Sequence, residues 1–188
     1  MNDPRSRLRP ILPADLDAGQ ASLYASITEG PRAQGPAHFD LTGADGSLLG
    51  PFNALLLSPD LGAALQGVGV AVRYRSTLSA RTREIAILTV AAHWDCAFER
   101  AAHQRVGRAV GLTDHEVSEI SAGRVPALED PHEQACAHLV RAMVEGDVDD
   151  EAWSAWAETS GKSTVFELTT LVGYYATLAL QLRVFRAE

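Results

Sequence analysis

At 188 residues, with 46% apolar and 21% charged side chains, the chain can bury one sizeable core and has the balance of an ordinary globular protein; wholesale disorder and collagen-like or coiled-coil extremes are excluded. A formal net charge of -8 repels a phosphate backbone, and no stretch interleaves Lys and Arg with aromatics, so no nucleic-acid partner is expected. Met1-Asn2-Asp3-Pro4-Arg5 leads into no apolar run of the secretory kind, and Val165 to Phe185 is interrupted by Glu167, Gln181 and Arg183; the expectation is a cytoplasmic, non-membrane protein with Cys96 and Cys136 reduced.

Leu16, Leu23, Tyr24 and Ile27 recur at helical spacing and predict a first helix from Pro13 to about Ile27, stopped by Gly30-Pro31. Residues 30–50 are rich in Gly and Pro and read as a long loop, suited to a lid or a subunit contact. Ser58-Pro59 opens a helix with Leu61, Leu65, Val68 and Val72 on one face. Ser79 caps the next, whose run Ile85, Ile87, Leu88, Val90, Ala91, Ala92 leaves hardly any polar face and belongs at the centre of the core. Asp95 is placed to cap a further helix with Cys96 as its first residue, ended at Gly111 by a left-handed glycine. Thr113 with Glu116 forms a capping box; Asp130-Pro131 with Glu133 repeats the pattern in a helix that stops at Gly146. Asp149 opens another, closed by Gly161. Thr164 with Glu167 predicts a third box before the stripe Leu168, Leu171, Val172, Tyr175, Leu178, Ala179, Leu182. No alternation of period two persists over a strand length, so the expected fold is an all-α, single-domain helical bundle over residues 1–188.

Chemistry concentrates on one helix. At about 100° per residue Cys96, Glu99 and His103 share an arc of roughly 60°, beside the apolar stripe Phe98, Ala102, Val106 and Ala109. The backbone N–H groups and dipole at a helix start favour a thiolate at Cys96, while a carboxyl beside an imidazole can exchange protons with it. His93, one residue before Trp94, is a further candidate for the same pocket. His38, His115, His132 and His138 show no spacing that joins a Cys into a metal site, so no metal is expected, and Cys136 reads as an inert buried thiol. Neither a phosphate loop nor a nucleophile elbow is present, and no cofactor is expected.

Leu78-Ser79-Ala80-Arg81-Thr82-Arg83-Glu84-Ile85-Ala86-Ile87-Leu88, then Cys96-Ala97-Phe98-Glu99-Arg100-Ala101-Ala102-His103, then Gly111-Leu112-Thr113 together resemble the carboxymuconolactone decarboxylase family, which includes alkylhydroperoxidase D. The close match covers residues 78–123. The resemblance implies an alkylhydroperoxidase D-like all-α fold, assembly into homo-trimers or hexamers, and Glu84, Cys96, Glu99 and His103 at the positions of the family's site. The hydroperoxidase branch has a second cysteine where this chain has Glu99, so its vicinal disulfide cannot form here.

The leading expectation is a cofactor-free, decarboxylase-like enzyme for a small oxygenated acid or lactone: His103 moves the proton, Glu99 tunes it, Cys96 lines the pocket, Glu84 positions the group, and Arg81 or Arg83 binds a substrate carboxylate. The alternatives are a thiol-dependent peroxidase centred on Cys96 and a non-catalytic binding protein on the same scaffold.

Overall fold

The structure, a computed structural model, describes residues 6–34 and 40–187. Among them no strand occurs, only an isolated antiparallel bridge between Thr42 and Leu48, and the fold is all-α as the periodicity predicts. The chain divides into two compact units, Met1–Arg75 with Leu178–Glu188, and Ser76–Thr177.

In the first unit a short 3-10 turn (Pro13–Asp15) precedes α1 (Ala18–Thr28). The helix starts later than its apolar spacing suggests because Asp17 and Gln20 close a reciprocal box: the Gln20 amide donates to Asp17 Oδ1 at 2.8 Å and the Asp17 amide to Gln20 Oε1 at 3.0 Å. Of the expected loop 30–50, residues 35–39, His38 among them, lie outside the described residues. Part of the remainder is folded: Pro31–Ala33 makes a 3-10 turn, and 41–49 double back on themselves. Tyr24 Oη donates to the Gly46 carbonyl at 2.8 Å, and Leu48 buries with Leu23, Ile27, Phe52, Leu55 and Leu56.

The short helix α2 (Pro51–Leu55) was not expected; α3 (Pro59–Tyr74) was, but it buries a different face. Gly62, Gln66, Gly69 and Val72 point inward, whereas Leu61 is 69% and Val68 39% exposed. The bare Gly62 backbone explains the rotation, since a Cβ there would meet the Leu55 carbonyl oxygen at 2.4 Å and Leu23 Cδ2 at 2.7 Å. Close approach of the main chain outweighs the apolar side chains two turns apart. Ser58 occupies the N-cap position, but its hydroxyl caps nothing.

In the second unit α4 (Ala80–His93) is the central helix, buried from Glu84 through Ala91. Ser79 Oγ accepts the Thr82 amide at 3.0 Å, as a cap should. Around α4 lie α5 (Ala97–Ala109), α6 (Asp114–Ser121) and α7 (Pro131–Glu145), with a core of Ile85, Leu88, Leu112, Val117, Ile120 and Ala137. The Thr113–Glu116 box forms on both sides, and Gly111 adopts φ 95 at the end of α5. Asp130 accepts the His132 and Glu133 amides, but the Glu133 carboxylate turns away to Arg81 instead of completing the box.

After Gly146, α8 (Asp150–Ala152) and α9 (Glu158–Ser160) flank a π-helical turn, Trp153–Ala157, where one uninterrupted helix was expected. Trp156 from that turn stacks on His138 of α7, with centroids 4.2 Å apart and planes at 7°. The last helix, α10 (Lys162–Phe185), begins two residues before Thr164, so the third predicted box does not form. Glu167 instead accepts from the Thr77 amide at 3.0 Å and the Thr77 hydroxyl at 2.9 Å, capping a loop ninety positions away in sequence. By length and composition alone α10 could cross a membrane, with mean hydropathy 1.2 over its most apolar window and 39% of that window buried. The buried residues Leu168, Leu171, Tyr174 and Tyr175 put that apolarity to use inside the fold.

Candidate functional site

Glu84, Cys96, Glu99 and His103 all lie within the second unit, and each is at most 4% exposed. Glu84 sits one turn into α4, on a helix with no polar face to spare, so its carboxylate is carried into the core. His103 projects from the middle of α5 and Glu99 from one turn earlier, the spacing that stacks side chains on one helix face.

These three meet. His103 Nδ1 lies 2.6 Å from Glu84 Oε2, and His103 Nε2 lies 3.3 Å from Glu99 Oε2. A carboxylate can only accept, so the Nδ1 proton belongs to the ring and points at Glu84. The Nε2 edge then faces a second carboxyl oxygen at ion-pair distance. The imidazole therefore has a carboxyl oxygen near each of its nitrogens. Tyr175, 3% exposed, covers the ring edge-on with centroids 5.3 Å apart and interplanar angle 89°. Sequence spacing finds Glu99 and His103, the family resemblance points to Glu84, and Tyr175 reads only as part of the α10 core stripe; nothing local distinguishes it from its apolar neighbours.

The start of α5 differs from the expected one. Asp95 is not its cap: it adopts φ 48, while Cys96 takes the N-cap position and Ala97 is the first helical residue. The cause is the end of α4. The Asp95 amide donates to Ala92 O at 3.2 Å and the Cys96 amide to Ala91 O at 2.9 Å, the paired bonds of a left-handed helix terminus in which Asp95 stands where glycine is usual. The Asp95 carboxylate, left outside, pairs with Arg100 at 3.0 Å. Cys96 is 1% exposed at the N-terminal end of the helix that carries Glu99 and His103.

The two candidate arginines part company. Arg81 is fully engaged: Nε donates to Glu133 at 3.0 Å, an Nη to Glu116 at 2.7 Å, and the other Nη to the Gly111 carbonyl, tying α4 to α6 and α7. Despite the desolvation that opposes its charge, hydrogen bonds donated to Glu116 and Glu133 raise the Arg81 pKa. Desolvation likewise pushes Glu116 up, but bonds from the Thr113 amide, Arg81 and the Thr113 hydroxyl outweigh it and hold this carboxyl below its ordinary range. Arg83 has no such partners among the described residues; its Nε lies 3.9 Å from Glu84 Oε1, the oxygen that does not face His103. His93 is exposed at the end of α4, edge-on to Trp94 at 6.1 Å. The structure thus gathers Glu84, Glu99, His103 and Arg83, and sets Arg81 and His93 to other contacts.

Cys136 is buried on α7, 3.8 Å from His132 Nδ1 and 4.0 Å from Ser160 Oγ. Burial pushes its thiol up to about 11, so it stays protonated at neutral pH. Among the described residues no group of three or more His, Cys, Asp or Glu side chains is arranged to hold a metal ion.

No curated protein matches the chain. The model of the Carboxymuconolactone decarboxylase family matches residues 59–142, which hold Arg83, Glu84, Cys96, Glu99 and His103. Helices α4 and α5, which carry Glu84, Glu99 and His103, fall inside that span, and over it the chain is similar to the carboxymuconolactone decarboxylase family.

Proposed function

We propose that this protein is a cofactor-free, decarboxylase-like enzyme acting on a small oxygenated carboxylic acid or lactone by general acid-base chemistry. The observation that carries the reading is His103 held between Glu84 at 2.6 Å and Glu99 at 3.3 Å in a buried setting. Loss of carbon dioxide breaks a carbon–carbon bond and leaves its electron pair on the carbon framework, where an adjacent carbonyl takes it up as an enolate. What the protein must supply is orientation, a surrounding that tolerates the developing charge, and a proton for the carbon. In this reading His103 Nε2 delivers the proton beside Glu99, and Glu84 fixes the ring so that Nε2 is the working nitrogen. In the same reading Cys96, a small buried side chain at the N-cap of α5, borders the site. The family's assembly into trimers or hexamers is proposed for this chain as well; exposed apolar side chains such as Leu61 and Phe166 offer surface for such contacts.

A panel of small lactone acids and unsaturated acids, followed by mass spectrometry for loss of carbon dioxide, tests the reading. The wild type should turn over at least one member, and His103→Gln should lower that rate by about a hundredfold or more with unchanged far-UV circular dichroism. Unchanged turnover in that variant removes His103 from the mechanism. The peroxidase reading is supported by the place of Cys96 at the N-cap of α5. It requires peroxide-dependent consumption of a dithiol that disappears in Cys96→Ser. Glu99 in place of a second thiol and the protonated Cys136 both weigh against it. A protein inert toward acids, lactones and peroxides alike would be a binding scaffold.

A further inference from the structure

Arg83 stands out among the charged groups of the second unit. Its side chain is only 18% exposed, its Nε is buried without a hydrogen-bond acceptor, and among the described residues its one ionic contact is the 3.9 Å approach to Glu84, longer than a hydrogen bond. A guanidinium presents five donors in a planar fork, and burying even one of them, here Nε, without an acceptor is costly unless something supplies it. Arg81, two residues earlier, shows the contrast, with all three of its nitrogens bonded to protein oxygens.

We propose that Arg83 is the specificity-determining residue of the site, binding an anionic carboxylate of the ligand through its free donors. The inference rests on the acid-base reading above and deepens it. One carboxylate, Glu84, faces Arg83 with Oε1 and His103 with Oε2, so the guanidinium and the imidazole are neighbours across a single side chain, within the reach of one small ligand. A two-oxygen anion matches the fork, and a neutral ester of the same shape does not. The other role open to Arg83, holding Glu84 charged and in place, is a positioning role and would not discriminate between acid and ester.

The experiment uses the full chain, isothermal calorimetry and two probes, a butenolide acetate and its methyl ester. The wild type should bind the acid about tenfold or more tightly than the ester. Arg83→Gln should bind both equally, and Arg83→Lys, which keeps the charge and loses the fork, should fall between. His103→Gln should keep the preference while losing turnover, so failure of the acid-base reading and failure of this one give different results. The proposal is overturned if the wild type binds neither probe or shows no preference. It is equally overturned if Arg83→Gln, or Arg83→Lys should the first not fold, retains the full preference, including the case where only the pH profile of turnover moves.

Discussion

A ring nitrogen that faces a buried carboxylate at 2.6 Å has its tautomer chosen for it, and at His103 that nitrogen is Nδ1. The consequence can be measured without any substrate. In nitrogen-15 spectra of the histidine rings, His103 Nδ1 should carry a proton throughout the range in which the protein is folded, with only Nε2 changing state. Glu84→Gln keeps an acceptor in place and should preserve that tautomer. Glu84→Ala removes it and should release the preference, together with roughly 3 kcal/mol or more of stability, because a buried ring donor loses its partner. A wild-type spectrum with the proton on Nε2 alone would contradict the geometry and, with it, the assignment of Nε2 as the working nitrogen. The residue types and their spacing were legible in the sequence because Glu99 and His103 are one helical turn apart, a local relation. That Glu84 meets the other nitrogen, that Tyr175 covers the ring and that Arg83 rather than Arg81 is left with open donors are consequences of how α4, α5 and α10 pack, which periodicity along one helix does not encode.

Helix ends show the same division. Caps that depend on two or three adjacent residues, Ser79, Thr113 with Glu116, Asp130 and Gly111, stand where the sequence places them. In the two boxes that do not close, the acid is engaged by a distant group: Glu133 by Arg81, and Glu167 by Thr77. Asp95 is the case with most bearing on the site, since a residue that looks like an N-cap for α5 is used to terminate α4, and this shifts Cys96 by one position. At φ 48 an L residue is strained by about 1 kcal/mol, least for Asp and Asn and most for β-branched side chains. Asp95→Gly should therefore be neutral or stabilising by up to about 1 kcal/mol, the exposed pair with Arg100 being worth little. Asp95→Val should cost about 1–2 kcal/mol in urea unfolding. Equal midpoints for the two variants would mean that the left-handed turn does not hold in solution.

Stability of the whole molecule should decline at both ends of the pH scale for separable reasons. On the acid side Glu116 has a folded pKa below its ordinary value, so its contribution is present above the unfolded pKa and is lost as pH falls through the folded one, loosening the Arg81 junction of α4 with α6 and α7. On the alkaline side the relevant group is Cys136, because desolvation raises its thiol from 9.0 to about 11. Below about pH 9 folded and unfolded chains both carry the protonated thiol, and it adds no pH dependence. Between about pH 9 and 11 the unfolded chain releases the proton while the folded chain retains it, so the unfolded state gains and stability falls with rising pH, by a total on the order of 2 kcal/mol. Replacing Cys136 with Ala should lower the urea midpoint at neutral pH by the modest cost of a small void, about 1 kcal/mol, and flatten the decline above pH 9. The two curves should therefore converge as the solution becomes more alkaline. Parallel curves would show that Cys136 ionises as easily in the folded protein as in the unfolded chain, and would reopen it as a resolving thiol for Cys96.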